Sequence, residues 1–66
     1  MNSNMLRTNI KIGGIVDVVE KQNQRSGKLT RGEVYKILTN SLNHTRGIKV
    51  MLSNGIVGRV QKIISE

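Results

Sequence analysis

Cationic side chains crowd one short stretch of the chain. Residues 21–31 carry four Lys or Arg residues and no acidic residue. Such a cluster can follow a phosphate backbone, because each cation neutralises a phosphate and releases its counterion. Further Lys and Arg residues occur between positions 46 and 62. The predicted nucleic-acid-binding residues are Lys21, Arg25, Lys28, Arg31, Lys49 and Arg59.

The charge of the whole chain points to the same class of partner. Eleven Lys and Arg against four Asp and Glu give a formal net charge of +7 in 66 residues. A chain this basic attracts polyanions, chiefly nucleic acid and less specifically an anionic membrane surface. A solvated, solubilising surface without a partner is the alternative interpretation.

Aromatic content limits the mode of binding. Tyr35 is the single aromatic residue, whereas readers of single strands usually stack bases on several aromatic rings. Contacts to the backbone and shape of structured RNA, or of a duplex, fit these side chains better. Tyr35 itself is expected to be a partly buried packing residue.

The turn at Ser26-Gly27 resembles a phosphate-binding loop only superficially. Gln22 stands where a P-loop needs its first Gly, and Leu29 follows Lys28 where Ser or Thr belongs. The P-loop is therefore rejected. A generic anion-binding turn built from the backbone N–H groups near Ser26 and Gly27 stays open.

No catalytic arrangement can be assembled from the remaining polar residues. His44, the single histidine, lies in a polar stretch, and the acids Asp17, Glu20 and Glu33 are scattered among bases. The absence of Cys excludes disulfides and thiolate metal sites. The sequence predicts a protein that is not an enzyme, with no catalytic residues, no cofactor and no metal.

The amino-acid sequence also shows no targeting or membrane-spanning signal. No apolar run approaches the ~20 residues needed to cross a bilayer, and the first residues lack the apolar stretch of a secretory signal. A cytoplasmic protein with no membrane partner is expected. Residues 1–9 are polar and aperiodic, which predicts a flexible N-terminal tail before a single small domain over residues 10–66.

Two segments have clear strand patterns. Residues 15–19 form a β-branched run behind a Gly pair, and residues 48–52 alternate apolar and polar side chains. Asn54-Gly55 then predicts a hairpin turn, because both residues tolerate positive φ. After the second hairpin strand, a last short strand over Lys62–Ile64 is expected to pair back to the first. Residues 22–29 between the two clear segments are predicted to form a long basic loop.

The segment from Thr30 to Leu42 fits two structures. Val34, Ile37 and Leu38 fall at helical spacing, and Thr30 with Glu33 matches a helix capping box. A strand over residues 32–38 with a bulge between Lys36 and Ile37 also turns apolar side chains inward. With this strand, four to five short antiparallel strands around an Ile, Val and Leu core predict an all-β, SH3-like or KOW-like barrel.

Several stretches resemble the YwbE-like family of small uncharacterised bacterial proteins. The likeness rests mainly on QRSGKLTRG at residues 24–32 and ILTNS at residues 37–41, and it covers residues 10–63. It implies one small β-rich domain without an assigned biochemistry.

A looser likeness concerns barrel proteins of the ribosome and of transcription. Residues 14–19, a basic loop and the Gly32-Glu33-Val34 segment look like the strands of KOW and SH3-like barrels. This likeness implies a strand rather than a helix at residues 32–38, and it favours RNA over DNA.

The leading hypothesis is a non-enzymatic module that binds structured RNA or a ribonucleoprotein through the six predicted cations. One alternative is a protein-interaction adapter that captures a peptide at a strand edge or beside the long loop. Another takes Thr30–Leu42 as a helix and the Asn54-Gly55 hairpin as a wing, giving a winged-helix-like DNA binder.

Overall fold

Four antiparallel strands close into a barrel in the computed structural model, which describes residues 7–65. The strands are β1 Ile15–Val19, β2 Leu29–Ile37, β3 Lys49–Leu52 and β4 Val57–Ser65. They pair in chain order, and β4 returns to β1, so each described strand has two hydrogen-bonded neighbours. The predicted small all-β barrel is confirmed.

The core is built from aliphatic side chains, as the composition predicts. Alternation along each strand turns one set of side chains inward. In β1, Val16 and Val18 face the interior, and they meet Val34 of β2 and Val60 of β4 in one cluster. The remaining members of the cluster are Ile10, Ile48, Val50 and Leu52.

The segment after the basic loop is a strand, so the helix over Thr30–Leu42 is wrong. β2 runs from Leu29 to Ile37, and its register against β3 shifts between Val34 and Lys36. Tyr35 is therefore the bulged residue, earlier than the predicted bulge between Lys36 and Ile37. This position keeps Val34 and Ile37 on the inner face and leaves Tyr35 65% exposed. The expected partial burial of Tyr35 is corrected for the same reason.

The β3–β4 hairpin forms where it was predicted, with a different turn. Gly55 has φ +87°, whereas no described residue other than Gly has positive φ, so Asn54 does not adopt the left-handed conformation. The Leu52 carbonyl accepts from Gly55 N–H at 2.9 Å, and Leu52 N–H donates to the Ile56 carbonyl at 2.8 Å. The loop thus holds the three residues 53–55, with Gly55 at its left-handed position.

One long strand closes the barrel in place of two short ones. β4 pairs with β3 through its first residues and with β1 from Arg59 onward, which confirms the predicted closure by the C-terminal residues. Its register against β1 shifts between Val60 and Lys62, so Gln61 is an extra residue. A bulge at this point bends the strand while Val60 and Ile63 stay on the inner side.

The segment before β1 is anchored to the loop that follows β2. Arg7–Asn9 form a 3-10 turn, and Arg7 N–H donates to the Leu42 carbonyl at 2.8 Å. The guanidinium Nε of Arg7 donates to the Thr39 carbonyl at 3.0 Å. Most of the predicted flexible tail, residues 1–6, lies outside the described residues, and its flexibility stays a prediction.

Candidate nucleic-acid interface

A groove of about 470 Å³ lies on the outer face of the barrel, where β1, β3 and β4 meet. Four cations and two glutamines line it, and none of its described lining residues is acidic. Cations that share a concave surface without counter-charge raise the local positive potential and attract phosphate groups. The lining residues are Val19, Lys21, Gln22, Gln24, Arg46, Lys49, Val57, Gly58 and Arg59.

Strand register brings two of these cations side by side. Lys49 of β3 is the cross-strand partner of Arg59 of β4, and Arg59 is in turn the partner of Val19 of β1. Paired residues on adjacent strands project on the same face, with Cβ atoms about 5 Å apart. The row from Lys49 through Arg59 to Val19 therefore crosses the groove from one strand to the next.

Gly58 allows this close approach of β4 to β1. A Cβ atom at Gly58 would lie 2.8 Å from the Val19 carbonyl oxygen and 2.9 Å from Val18 Cγ2. Both distances are shorter than van der Waals contact, and the first involves backbone that cannot rotate away. The missing side chain is thus a condition for the packing beneath the groove.

Arg46 reaches the groove from the turn before β3. Its N–H donates to His44 Nδ1 at 3.1 Å, and Gly47 N–H donates to the His44 carbonyl at 3.0 Å. Gly47 has φ +96°, a conformation that suits Gly. From β4, Arg59 donates to the Gly47 carbonyl at 3.1 Å, and Gln61 donates to the Arg46 carbonyl at 3.3 Å. These contacts tie the turn to the strand that carries Arg59.

Lys21 enters the groove from the other side, on a 3-10 turn directly after β1. The turn spans Lys21–Asn23, and the Glu20 carboxylate organises it. That carboxylate accepts from the amides of Gln22 at 3.2 Å and Asn23 at 3.4 Å, and more distantly from the Thr30 hydroxyl at 3.5 Å. The acid that precedes the basic loop therefore fixes the base of that loop to β2.

Arg25 and Lys28 are exposed at the tip of the loop and do not line the groove, although Gln24, the neighbour of Arg25, does. Within the tip, Gly27 N–H donates to the Asn23 carbonyl at 2.8 Å, and Lys28 N–H donates to Ser26 Oγ at 3.3 Å. The Gly27 and Lys28 N–H groups are thus used inside the loop and are not left for an anion. The tip offers the side-chain charges of Arg25 and Lys28 to a partner.

Arg31 is held by an acid on the neighbouring strand. Its Nε donates to Asp17 Oδ1 at 2.9 Å and its Nη2 to Asp17 Oδ2 at 3.2 Å, so the pair is bidentate. These hydrogen bonds hold the pKa of the Asp17 carboxyl below its ordinary value of 3.8, and the Arg31 and Lys62 charges add to them while burial opposes them. The Arg31 side chain stays 61% exposed, which leaves part of its guanidinium accessible.

The six predicted cations therefore divide into groups. Lys21, Lys49 and Arg59 line the groove, Arg25 and Lys28 form the loop tip, and Arg31 pairs with Asp17. Sequence reasoning left Arg46 out of the site, together with the glutamines of the groove. Arg46 directly precedes Gly47 at the entrance to β3, and this proximity to Lys49 was the signal available.

Among residues 7–65, no three His, Cys, Asp or Glu side chains come together as metal ligands would. His44 is half-buried and serves as the acceptor of its own turn. No helix in the described part of the chain is long and apolar enough to span a bilayer.

Fold and groove together define the class: a small, closed antiparallel β-barrel with an acid-free cationic groove on its outer face. Residues 3–63 match the family described as "Uncharacterized conserved protein (DUF2196)", and the chain belongs to this family. It is 52% identical over 59 residues to the uncharacterized protein YwbE of Bacillus subtilis (strain 168), covering 89% of this chain and 91% of that relative. The predicted YwbE-like family is confirmed. No solved structure matches the chain.

Proposed function

We propose that this protein is a non-enzymatic module that binds structured RNA, alone or within a ribonucleoprotein, by seating a phosphate backbone in the groove. The observation that carries the proposal is the convergence of Lys21, Arg46, Lys49 and Arg59 on one acid-free concave surface. Arg25 and Lys28 at the loop tip extend the same positive surface. Phosphate neutralisation by these side chains supplies the affinity, and counterion release makes it salt-dependent.

Backbone held in a sheet supports this role. Lys49 and Arg59 stand on paired strands, so their Cα positions are fixed before a partner arrives. Only side-chain ordering is then lost on binding, which costs less than ordering a whole loop. The groove therefore offers phosphate groups a prearranged set of charges.

Structured RNA fits this surface better than an extended single strand. The single aromatic residue, Tyr35, is not among the residues that line the groove. Without aromatic platforms there is no surface for stacking successive bases. The contacts left to the groove are those to phosphate, sugar and backbone shape, which structured RNA presents in a fixed arrangement.

The two alternatives lack comparable support. A winged-helix-like DNA binder needs a recognition helix at Thr30–Leu42, and β2 takes up most of that segment. A strand-edge adapter needs an unpaired strand, whereas each of the four described strands has two neighbours. A peptide in the groove would have to be acidic, and the experiment below includes that outcome.

The proposal is tested by fluorescence polarisation with a structured RNA, a duplex DNA and a single-stranded RNA at two salt concentrations. We expect tightest binding to the structured RNA, weakened by salt. The test variant combines Arg46→Ala with Lys49→Ala, because neither side chain makes a hydrogen bond within residues 7–65. It is expected to lose about tenfold in affinity, and its log–log salt slope is expected to fall by about 2.

A control variant removes the same charge elsewhere. Lys11→Ala with Lys36→Ala truncates two exposed lysines that do not line the groove. It should change the affinity by no more than about twofold. Equal losses in both double variants, or weak binding to all three nucleic acids that vanishes at physiological salt, would refute the proposal. Binding to an acidic peptide with none to RNA would support the adapter instead.

A further inference from the structure

The groove differs from a flat basic surface because part of it is apolar. Val57 and Val19 line it together with the cations, and Val19 is only 9% exposed. Gly58 lies between Val57 and Arg59 and contributes backbone without a side chain. Valine side chains contribute nothing to phosphate neutralisation, so a partner made of phosphate alone would leave this part of the groove unused.

One amide in the groove also has no internal role. Gln22 donates to the Glu20 carboxylate, whereas the Gln24 side chain makes no hydrogen bond within residues 7–65. An amide carries both donors and an acceptor, so it can pair with a base edge or with a ribose hydroxyl. The cations of the groove are complementary to a phosphate, and its apolar surface is complementary to a sugar and a base. The Gln24 amide can hydrogen-bond to the polar groups of either.

The size of the groove sets how much of a nucleic acid it can hold. Its volume of about 470 Å³ falls in the range of roughly 300–1,000 Å³ typical of small-ligand sites. This is enough for a nucleotide and too little for a helix to enter. A base that is paired inside a helix cannot reach the valines, whereas an unpaired base can leave the stack at modest cost.

We propose that the groove seats one unpaired nucleotide of the bound RNA, with phosphate at Lys49 and Arg59, the sugar and base against Val19 and Val57, and Gln24 as the polar contact. This inference rests on the proposed function and narrows it to structured RNA that carries a bulged or looped-out nucleotide. The aliphatic surface gives little base selectivity, because it offers contact area without a hydrogen-bonding pattern.

The test compares two RNA hairpins that differ only by a single-nucleotide bulge. The wild-type protein is expected to bind the bulged hairpin about five- to tenfold more tightly, as one buried sugar and base would provide. Val57→Ala removes apolar surface from the groove without changing charge, and it should abolish this preference while leaving affinity for the perfect hairpin within about twofold.

Met51→Ala is the matched control. Met51 is the cross-strand partner of Val57, is partly buried like it, and does not line the groove. The control should keep the preference for the bulge. Equal binding of both hairpins by the wild type, with strong salt dependence, overturns the nucleotide seat and leaves the proposed function standing. Absence of salt-sensitive binding to either hairpin overturns both.

An NMR titration of the wild-type protein tests the same proposal without depending on the folding of a variant. Amide chemical shifts are followed by NMR while AMP or inorganic phosphate is added at equal concentration. AMP is expected to shift the amides of Val19, Val57 and Gly58 more than inorganic phosphate does. Equal shifts with both probes mean that the site recognises charge alone, which overturns the nucleotide seat.

Discussion

The groove and the loop tip are both cationic, but the barrel holds them differently. Lys49 and Arg59 stand on paired strands, and the Arg46 turn is tied to β4 by two side-chain hydrogen bonds. Arg25 and Lys28 are exposed at a loop tip whose own hydrogen bonds join residues no more than four positions apart. The backbone that carries Arg46, Lys49 and Arg59 is therefore tied to the barrel, whereas the backbone of the tip depends on a locally held turn.

This difference separates sequence clustering from spatial clustering. Residues 21–31 contain the densest run of cations, yet within that run only Lys21 is a cation that lines the groove. The other cations of the groove come from positions 46, 49 and 59, far along the chain. A groove built by strand register thus draws on residues far apart in the sequence, of which Lys49 and Arg59 were predicted and Arg46 was not.

The largest expected effect comes from the backbone beneath the groove. Gly58→Ala places a Cβ atom 2.8 Å from the Val19 carbonyl oxygen, and backbone can relieve this contact only by moving β4 away from β1. We expect the free energy of unfolding to fall by about 2–3 kcal/mol. This change lowers the melting temperature by roughly 10–20 °C in a domain of this size. Thermal denaturation followed by circular dichroism measures it.

Gly32→Ala provides the comparison for that variant. There the new Cβ atom also meets an atom at 2.8 Å, but the atom is Leu52 Cδ1, the end of a flexible side chain. A rotamer change of Leu52 relieves this clash, so Gly32→Ala should lower the melting temperature clearly less than Gly58→Ala does. Equal melting temperatures for Gly58→Ala and the wild type would show that β4 can sit farther from β1 than the structure has it.

The next prediction compares groove cations with the three cations of residues 25–31 that do not line the groove, at equal charge loss. One variant carries Lys21→Ala, Arg46→Ala and Lys49→Ala, and the other Arg25→Ala, Lys28→Ala and Arg31→Ala. We expect about a hundredfold loss of RNA affinity for the groove variant and no more than about tenfold for the second, because cations on backbone held by the barrel need only side-chain ordering on binding. Fluorescence polarisation at constant salt gives both values.

The outcome of this comparison bears on both regions. If binding persists unchanged in the second variant, Arg25, Lys28 and Arg31 do not belong to the site, and the groove alone carries it. A larger loss in the second variant than in the groove variant would contradict the assignment of the groove as the main contact. Melting temperatures of both variants show whether either change acts through the fold.

Local patterns were sufficient for most of the barrel. The alternation at residues 48–52 and the β-branched run at residues 15–19 each define which face is buried, and both became strands. The Asn54-Gly55 hairpin was found for the same reason, although only Gly55 needs positive φ. Strands and tight turns of this kind depend on residues that are neighbours in the chain, so a single sequence is enough to predict them.

Features that depend on distant partners could not be obtained in this way. The bulge at Tyr35 follows from how β2 pairs with β3, and its extra residue disrupts the period of two and makes Val34, Ile37 and Leu38 resemble a helix face. The groove has the same origin. Nothing near Arg46 in the sequence indicates that β4 holds its turn, and nothing near Arg31 shows that Asp17 binds it.

The smallest expected effect concerns Arg31, which belongs to neither region because Asp17 holds it. The folded-state pKa of Asp17 lies below its ordinary value of 3.8, so the unfolded chain binds more protons than the folded chain near that pH. The stabilisation by this pair is therefore complete above that value and is lost as the pH falls through the folded-state pKa. Asp17→Asn should lower the melting temperature by several degrees near neutral pH.

This difference in melting temperature between wild type and Asp17→Asn is expected to disappear on acidification below about pH 4. Glu33→Gln neutralises an exposed acid on the same strand as Arg31, and its melting temperature near neutral pH should differ less from that of the wild type. Because Asp17→Asn also releases a guanidinium on the outer face, RNA affinity should rise by about twofold. A difference that stays constant down to strongly acidic pH would mean that the Asp17–Arg31 ion pair does not stabilise the fold. Arg31 would then be as available to a phosphate as the groove cations are.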